Sequence, residues 1–244
     1  MKDILSDIIS HIDGLKGINT VKVTGTEKET KIFTKDDSRT VVINGVFTNP
    51  HPEFMGVFGI PNLSKLKTIL SFDEYDSESL FEVRKSKFDD EGEIPTSFHF
   101  ETKSKDFIND FRLMSKATVE SQLQELTFKL KDWDFTFEPK VASIQRLKRQ
   151  AQANSDESTF RMTTDNGNLK VMFGDASTSS GNFIFEQGIT AKVTDSWHWP
   201  VEQVNFILGL VGDKKMSISS KGAMQISVDS GLVKYDFIIL GSTK

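Results

Sequence analysis

Apolar positions along this chain follow two periods, and the two alternate in the same order twice. Ile4, Leu5, Ile8, Ile12 and Leu15 recur at spacings of three and four, which predicts an amphipathic helix that Gly14 and Gly17 end. Alternating, β-branched runs follow at Val21-Lys22-Val23, Lys31-Ile32-Phe33 and Val41-Val42-Ile43, with turn material at Asp36-Asp37-Ser38 and Asn44-Gly45. Pro61-Asn62 opens a second helix whose inner side carries Leu63, Leu66, Ile69 and Leu70. Phe81-Glu82-Val83 and Phe98-His99-Phe100 return to period two around an acidic turn, Asp89-Asp90-Glu91-Gly92.

The order then repeats. A strand around Phe135-Thr136-Phe137 leads to Pro139 and a helix bearing Val141, Ile144, Leu147 and Ala151. Strands are expected at Phe160-Arg161-Met162, Leu169-Lys170-Val171 and Phe183-Ile184-Phe185, with Asp165-Asn166-Gly167 as a hairpin turn. Pro200 suits a first helical turn, and Val201, Val204, Ile207, Leu208 and Val211 form a stripe that Gly212 closes. A last hairpin runs from Met224-Gln225-Ile226-Ser227-Val228 through Asp229-Ser230-Gly231 into Val233–Leu240. Ile4 and Ile144 stand 140 positions apart, and Pro61 and Pro200 stand 139 apart. A near-constant offset argues for two copies of one unit. The expected class is α+β, each copy having two short helices packed on antiparallel sheets. Ser115 to Leu130 does not fit the repeat and reads as a connector with leucines at 123 and 126. The boundaries are residues 1–118, a connector at 119–132, and 133–244.

Composition narrows the picture. With 244 residues, 37% of them hydrophobic, there is enough apolar material for two cores. Twenty Phe against two Tyr suggests ring-filled layers between helix and sheet. The absence of cysteine excludes disulfides, thiolate metal sites and cysteine nucleophiles, and it fits a reducing cytoplasm. Residues 1–17 alternate apolar and charged positions unlike a signal peptide, and no run approaches the roughly 20 apolar residues that span a bilayer. A soluble cytosolic protein is expected. The net charge of −5 argues against a generic basic nucleic-acid coat, though not against a local basic surface.

Catalytic motifs fail in turn. His11, His51, His99 and His198 share no i,i+4 pairing of the metalloenzyme kind. His99, between two Phe, reads as a surface-facing strand residue, and His198, between Trp197 and Trp199, as part of an aromatic strand edge. Asp73, Glu74, Asp76 and Glu78 lack the alternation and glycine of a calcium loop, and Asp132-Trp133-Asp134 reads as strand-edge charge. Gly174-Asp175-Ala176-Ser177 through Gly181 has no Lys-Ser/Thr ending and is no phosphate loop; no serine sits in a nucleophile elbow. Neither an enzyme nor a cofactor or metal is expected.

One helix stands apart by its charge. Its polar side carries Lys140, Gln145, Arg146, Lys148, Arg149 and Gln152, with no acid until Asp156, and the helix at 62–71 adds Lys65 and Lys67. In an acidic chain a segregated basic face signals phosphate contact; an ordinary solvated helix side is the plainer reading. The first helix opposes the signal, because Asp3, Asp7 and Asp13 would make its outer face acidic. Glu202, Gln203 and Asn205 lie on the fourth helix, with Lys214 and Lys215 just beyond.

Two copies of helix, hairpins, helix, hairpins, with a basic helical layer and a terminal hairpin, resemble the DNA sliding clamp family. The nearest likeness is to the two-domain trimeric clamps of tailed phages, and a more distant one is to proliferating-cell nuclear antigen. The segments that carry it are Pro139-Lys140-Val141-Ala142-Ser143-Ile144-Gln145-Arg146-Leu147, Trp199-Pro200-Val201-Glu202 through Leu210, and Lys214-Lys215-Met216-Ser217-Ile218 followed by Val233–Leu240.

The resemblance implies a homotrimeric ring around duplex DNA, helices lining the hole and sheets joining edge to edge outside. Its contacts would be few, salt-sensitive and blind to sequence, with Lys65, Lys67, Lys140, Arg146, Lys148, Arg149, Lys214 and Lys215 as the DNA-facing set. It further implies tethering of a replicative DNA polymerase, an ATP-driven clamp loader, and a location in the cytoplasm, the host's if the chain is phage-encoded. Partner peptides would dock between connector and last strand, at Leu123, Leu126, Ile238 and Leu240, with Tyr235, Phe237 and Ile239 in the core. Packing of Ile238 and Leu240 beneath the connector is an equal reading of these outer-face apolar residues. Two other functions fit the same pattern: a monomeric processivity factor that binds DNA by charge, and a phage structural or adaptor protein.

Overall fold

A computed structural model of the chain describes residues 1–88, 92–125, 133–175, 177, 179–194 and 196–243. The chain divides into two units: Met1–Asp37, Ile43–Leu126 and Ser230–Tyr235 form the first, and Ser38–Val42, Thr127–Asp229 and Asp236–Lys244 form the second. The order of helix, antiparallel strands, helix, antiparallel strands occurs in each.

In the first unit α1 (Lys2–Ile12) buries Leu5, Ile8, Ile9, His11 and Ile12 and packs beside α2 (Leu63–Leu70). Asn62 caps α2 from a left-handed conformation, its side chain accepting from the Lys65 N–H. One sheet holds β4 (Gly56–Ile60), β1 (Val21–Gly25), β2 (Thr30–Lys35) and β3 (Val41–Phe47) in that order. Val23 faces Ile32 on one side and Phe58 on the other, all three buried, so the register places one continuous apolar row on the core face of the sheet. A second sheet is β5 (Leu80–Phe88), β6 (Gly92–Glu101) and β7 (Ile108–Arg112). Phe98 ties it to β4: its ring centroid lies 6.2 Å from Phe54, 5.9 Å from Phe81 and 6.2 Å from Phe111, and Phe54 meets Phe58 at 5.6 Å. The phenylalanine excess is used here.

After β7 comes α3 (Lys116–Gln122), capped by the Ser115 hydroxyl, which accepts from the Thr118 N–H. Sequence alone reads this stretch as connector. A helix of seven residues burying Val119 alone has no stripe for periodicity to find. It lies on β4 at Gly59, where an added Cβ would come within 2.8 Å of a Val119 methyl.

In the second unit β8 (Phe135–Phe137) leads to α4 (Val141–Ala153), which packs beside α5 (Val201–Gly209). One sheet has the order β11 (Gly181–Gln187), β10 (Asn168–Phe173), β9 (Thr159–Asp165), β12 (His198–Pro200). Asp165 pairs with Asn168 across a two-residue turn in which Asn166 and Gly167 have φ of 49° and 75°, the twist-matched hairpin expected of Asp-Asn-Gly. β13 (Asp213–Ser219) pairs with β14 (Ala223–Asp229) and with β8. β15 (Val233–Leu240) ends the fold, and Tyr235, Phe237 and Ile239 are fully buried. Pro200 sits one residue earlier than expected, as N-cap of α5 rather than in its first turn.

The stripe of α4 is thinner than its spacing predicts. Leu147 and Ser143 are buried, while Val141 is 71% exposed. Ser143 explains the difference: its hydroxyl donates to the Phe185 carbonyl at 2.6 Å, so the helix meets the sheet at a small polar residue and Val141 stays outside.

Candidate nucleic-acid interface

The exposed side of α4 presents Gln145, Arg146, Lys148, Arg149 and Gln152. No carboxylate among the described residues pairs with Arg146, Lys148 or Arg149, so these charges are available to an external anion. Between α4 and α5 runs a groove of about 800 Å³ lined by Lys148, Gln152, Ser155, Glu202, Gln203 and Phe206. Lys148 closes over the end of α5, its Nζ 3.2 Å from where a Cβ on Gly209 would lie.

Other expected contacts are already engaged. Lys140 Nζ pairs with Glu186 Oε1 at 2.7 Å. Lys214 donates to the carbonyls of Leu210 and Gly212, closing the C-terminal end of α5. Burial pushes the Lys214 ammonium down, Asp213 acts against this, and nearby Lys148 adds to it. Lys67 pairs with Asp13 at 3.0 Å, whereas Lys65 on α2 and Lys215 on β13 are exposed. The eight expected cations therefore divide into those engaged by a partner within the protein and those on open surface with no carboxylate partner among the described residues, and α4 holds the densest open group.

The acidic outer face expected of α1 needs correction. Asp7 turns inward: its Oδ2 accepts from Tyr235 Oη at 2.7 Å and from Ser230 Oγ at 3.0 Å. Asp13 is likewise occupied, by Ser64 at 2.8 Å and by Lys67. Of the three acids only Asp3 is exposed. Beside Asp7, His11 is buried and stacks on Tyr235 at 4.5 Å and 8°. Burial, followed by the Asp7 charge and hydrogen bond, pushes the Tyr235 hydroxyl well above the usual tyrosine range.

His99 is also not surface-exposed as expected. It does point away from buried Phe98 and Phe100, yet it is only 3% exposed. Nδ1 lies 2.9 Å from Asp110 and Nε2 3.2 Å from Glu101, and Arg84 reaches the same Asp110 at 2.9 Å. The charged residues around it close over the ring. The His99 bond, against some desolvation and helped by Arg84, holds the Asp110 carboxyl below the usual range. This network orders β5, β6 and β7, and sequence spacing does not show it because Arg84 and Asp110 come from the strands on either side of His99.

Of the residues expected to form a peptide pocket, Leu123 and Ile238 are buried and Leu240 is half-buried, while Leu126 lies outside the described residues. The acidic turn at 89–91 and Asp132 lie outside them as well. A separate apolar hollow of about 500 Å³ opens in the first unit between Val57, Ile94, Pro95, Leu113, Met114 and Ala117. Among the described residues no group of three or more His, Asp or Glu is placed to hold a metal ion. No described helix is long and apolar enough to cross a membrane.

No protein-family model matches the chain, and no curated protein matches it. Solved structures do. PCNA of A. fulgidus, in a structure with the C-terminal region of FEN-1 bound, aligns with a TM-score of 0.68 at 10% identity over 100% of this chain and 96% of that one. PCNA of Thermococcus kodakaraensis aligns with a TM-score of 0.65 at 12% identity over 99% and 97%. From end to end, the chain has the DNA sliding clamp fold of PCNA.

Proposed function

We propose that the protein is a sliding clamp, a homotrimeric ring of six similar domains that encircles duplex DNA and tethers a replicative DNA polymerase as its processivity factor. It works as a scaffold and not as an enzyme. The observation that carries this reading is the open basic face of α4 in a chain of net charge −5 that has the clamp fold. A cation set this sparse suits sliding: a few sequence-blind phosphate contacts hold register loosely, and closure of the ring prevents escape. DNA contact centres on Arg146, Lys148 and Arg149, with Lys65 and Lys215 as further exposed cations.

Sheet edges support the ring. Among the described residues β7 and β11 each pair on one side only, and each carries an exposed isoleucine, Ile108 at 49% and Ile184 at 37%. Unpaired edges of this kind call for a partner strand, and a second copy supplies one. An ATP-driven loader opens the ring onto DNA. Partner proteins are held through short segments, as the A. fulgidus protein holds the FEN-1 region. The setting is the cytoplasm in which that DNA is copied, a host's if the chain is phage-encoded.

Native mass measured across a dilution series tests the ring. A species of about three times 27.5 kDa is expected; a 27.5 kDa monomer at every concentration contradicts it and favours a processivity factor that binds DNA by charge alone. A trimer that fails to stimulate polymerase on primed circular DNA with its loader present favours a purely structural role.

A further inference from the structure

We propose that Lys140 and Glu186 are positioning residues, a strut that seats the phosphate-facing helix α4 on edge strand β11, and that Lys140 is not itself a phosphate ligand. The proposal rests on the reading of α4 as the DNA-facing helix.

α4 lies along β11 and is held near both ends. At its start Lys140 Nζ pairs with Glu186 Oε1 at 2.7 Å, and buried Ser143 donates to the Phe185 carbonyl at 2.6 Å. At its end Gln150 and Asn154 close onto Gly181, the first residue of the strand, where a Cβ would collide with Gln150 Oε1. From Ser143 to Asn154 the helix covers roughly 16 Å, and from Phe185 to Gly181 the strand covers roughly 13 Å, so the two run side by side in opposite directions.

The charges of the strut are unequally placed. The Glu186 side chain is 9% exposed and that of Lys140 is 66% exposed. Glu186 Oε1 also accepts from the Gln187 N–H at 3.0 Å, while Oε2 is buried with no hydrogen-bond partner among the described residues. A carboxylate buried this far depends on its one cation. Swinging Lys140 out to a phosphate would strand that charge, a large penalty for one exposed ionic contact. Arg146, Lys148 and Arg149 carry no such obligation, so the strut fixes where they point.

Simple charge and the strut predict opposite signs. Removing Glu186 takes a negative charge from a surface that meets a polyanion, which by electrostatics alone tightens binding. If Glu186 seats α4, its removal weakens binding. The test is duplex affinity by fluorescence anisotropy, over a range of salt, for the full-length wild type, Glu186→Ala, Lys140→Met, Lys140→Arg and the Lys140→Met/Glu186→Ala double variant. Glu186→Ala is expected to weaken binding by roughly three- to tenfold, with the double variant no weaker than the worse single, as for two residues acting through one contact. Lys140→Met should weaken binding without changing the slope of log K against log salt, and Lys140→Arg should restore it. Affinity at or above wild type in Glu186→Ala overturns the proposal, as does a slope reduced by about 0.9 in Lys140→Met, the mark of one phosphate no longer neutralised. Glu186→Gln reads the same sign should the alanine variant not fold. A wild type that binds no duplex even at the lowest salt removes the reading of α4 as a phosphate-facing helix, and the proposal with it, before any variant is compared.

Discussion

Lys67 on α2 pairs with Asp13, just beyond the end of α1, at 3.0 Å, so the acid that would repel DNA from the first helix is neutralised by its neighbour. Asp13 is nearly covered while Lys67 remains mostly exposed. The pair thus removes a negative charge from the surface and leaves the cation visible. With Asp7 turned inward as well, only Asp3 of the three acids stays exposed, which weakens the objection to a helical layer that faces a polyanion.

Asp13→Asn therefore frees Lys67. Duplex affinity should rise modestly, and the denaturation midpoint should report a stability change below about 1 kcal/mol, as for other solvent-screened pairs. Weaker binding would show that Lys67 acts only when held.

Reversing Arg146, Lys148 and Arg149 to Glu should abolish most duplex binding without unfolding the protein, because none of the three is buried or paired with a described carboxylate. The salt slope should fall by about 0.9 for each phosphate that the variant no longer neutralises. Circular dichroism melts check the fold; an unchanged slope would place DNA elsewhere.

How much of this is legible in the chain depends on distance along it. Helices with three or more inward apolar residues, the Asp-Asn-Gly hairpin and the buried face of β15 follow from local spacing. α3 does not, since Val119 alone meets the core. Asp7 reads as exposed because its partners, Ser230 and Tyr235, lie 223 and 228 residues away. Lys140 reads as free for the same reason, Glu186 being 46 residues further on. Alternation puts His99 on the correct face with Glu101 beside it, but the Asp110 that also encloses it is set by strand register. Charge pattern finds a basic helix; only tertiary structure tells which of its cations are engaged.

Tyr235→Phe removes one donor from Asp7, and loss of about 1–3 kcal/mol is expected for a half-buried carboxylate left short of a partner. Folding holds the Tyr235 proton more tightly than the unfolded chain does. Its contribution is therefore complete below the ordinary tyrosine range and is lost as pH rises through it. In alkaline titration the tyrosinate absorbance that distinguishes wild type from Tyr235→Phe should appear only as the protein unfolds.

Glu186 works in the opposite direction. Burial opposes its ionisation, but the Lys140 ammonium and the Gln187 N–H outweigh burial and hold the carboxyl below the usual glutamate range. Its contribution is present above that range and is lost as pH falls through the lower, folded value. The difference in denaturation midpoint between wild type and Glu186→Gln should thus shrink on acidification and be flat near neutrality.

Encirclement itself is read most directly by threading. The protein is incubated with linear duplex, both ends are then capped with a bulky block, and the sample is washed in high salt, which strips proteins held by charge alone. A closed ring should be retained on capped DNA and lost from DNA with open ends. Equal release from both would contradict a closed ring.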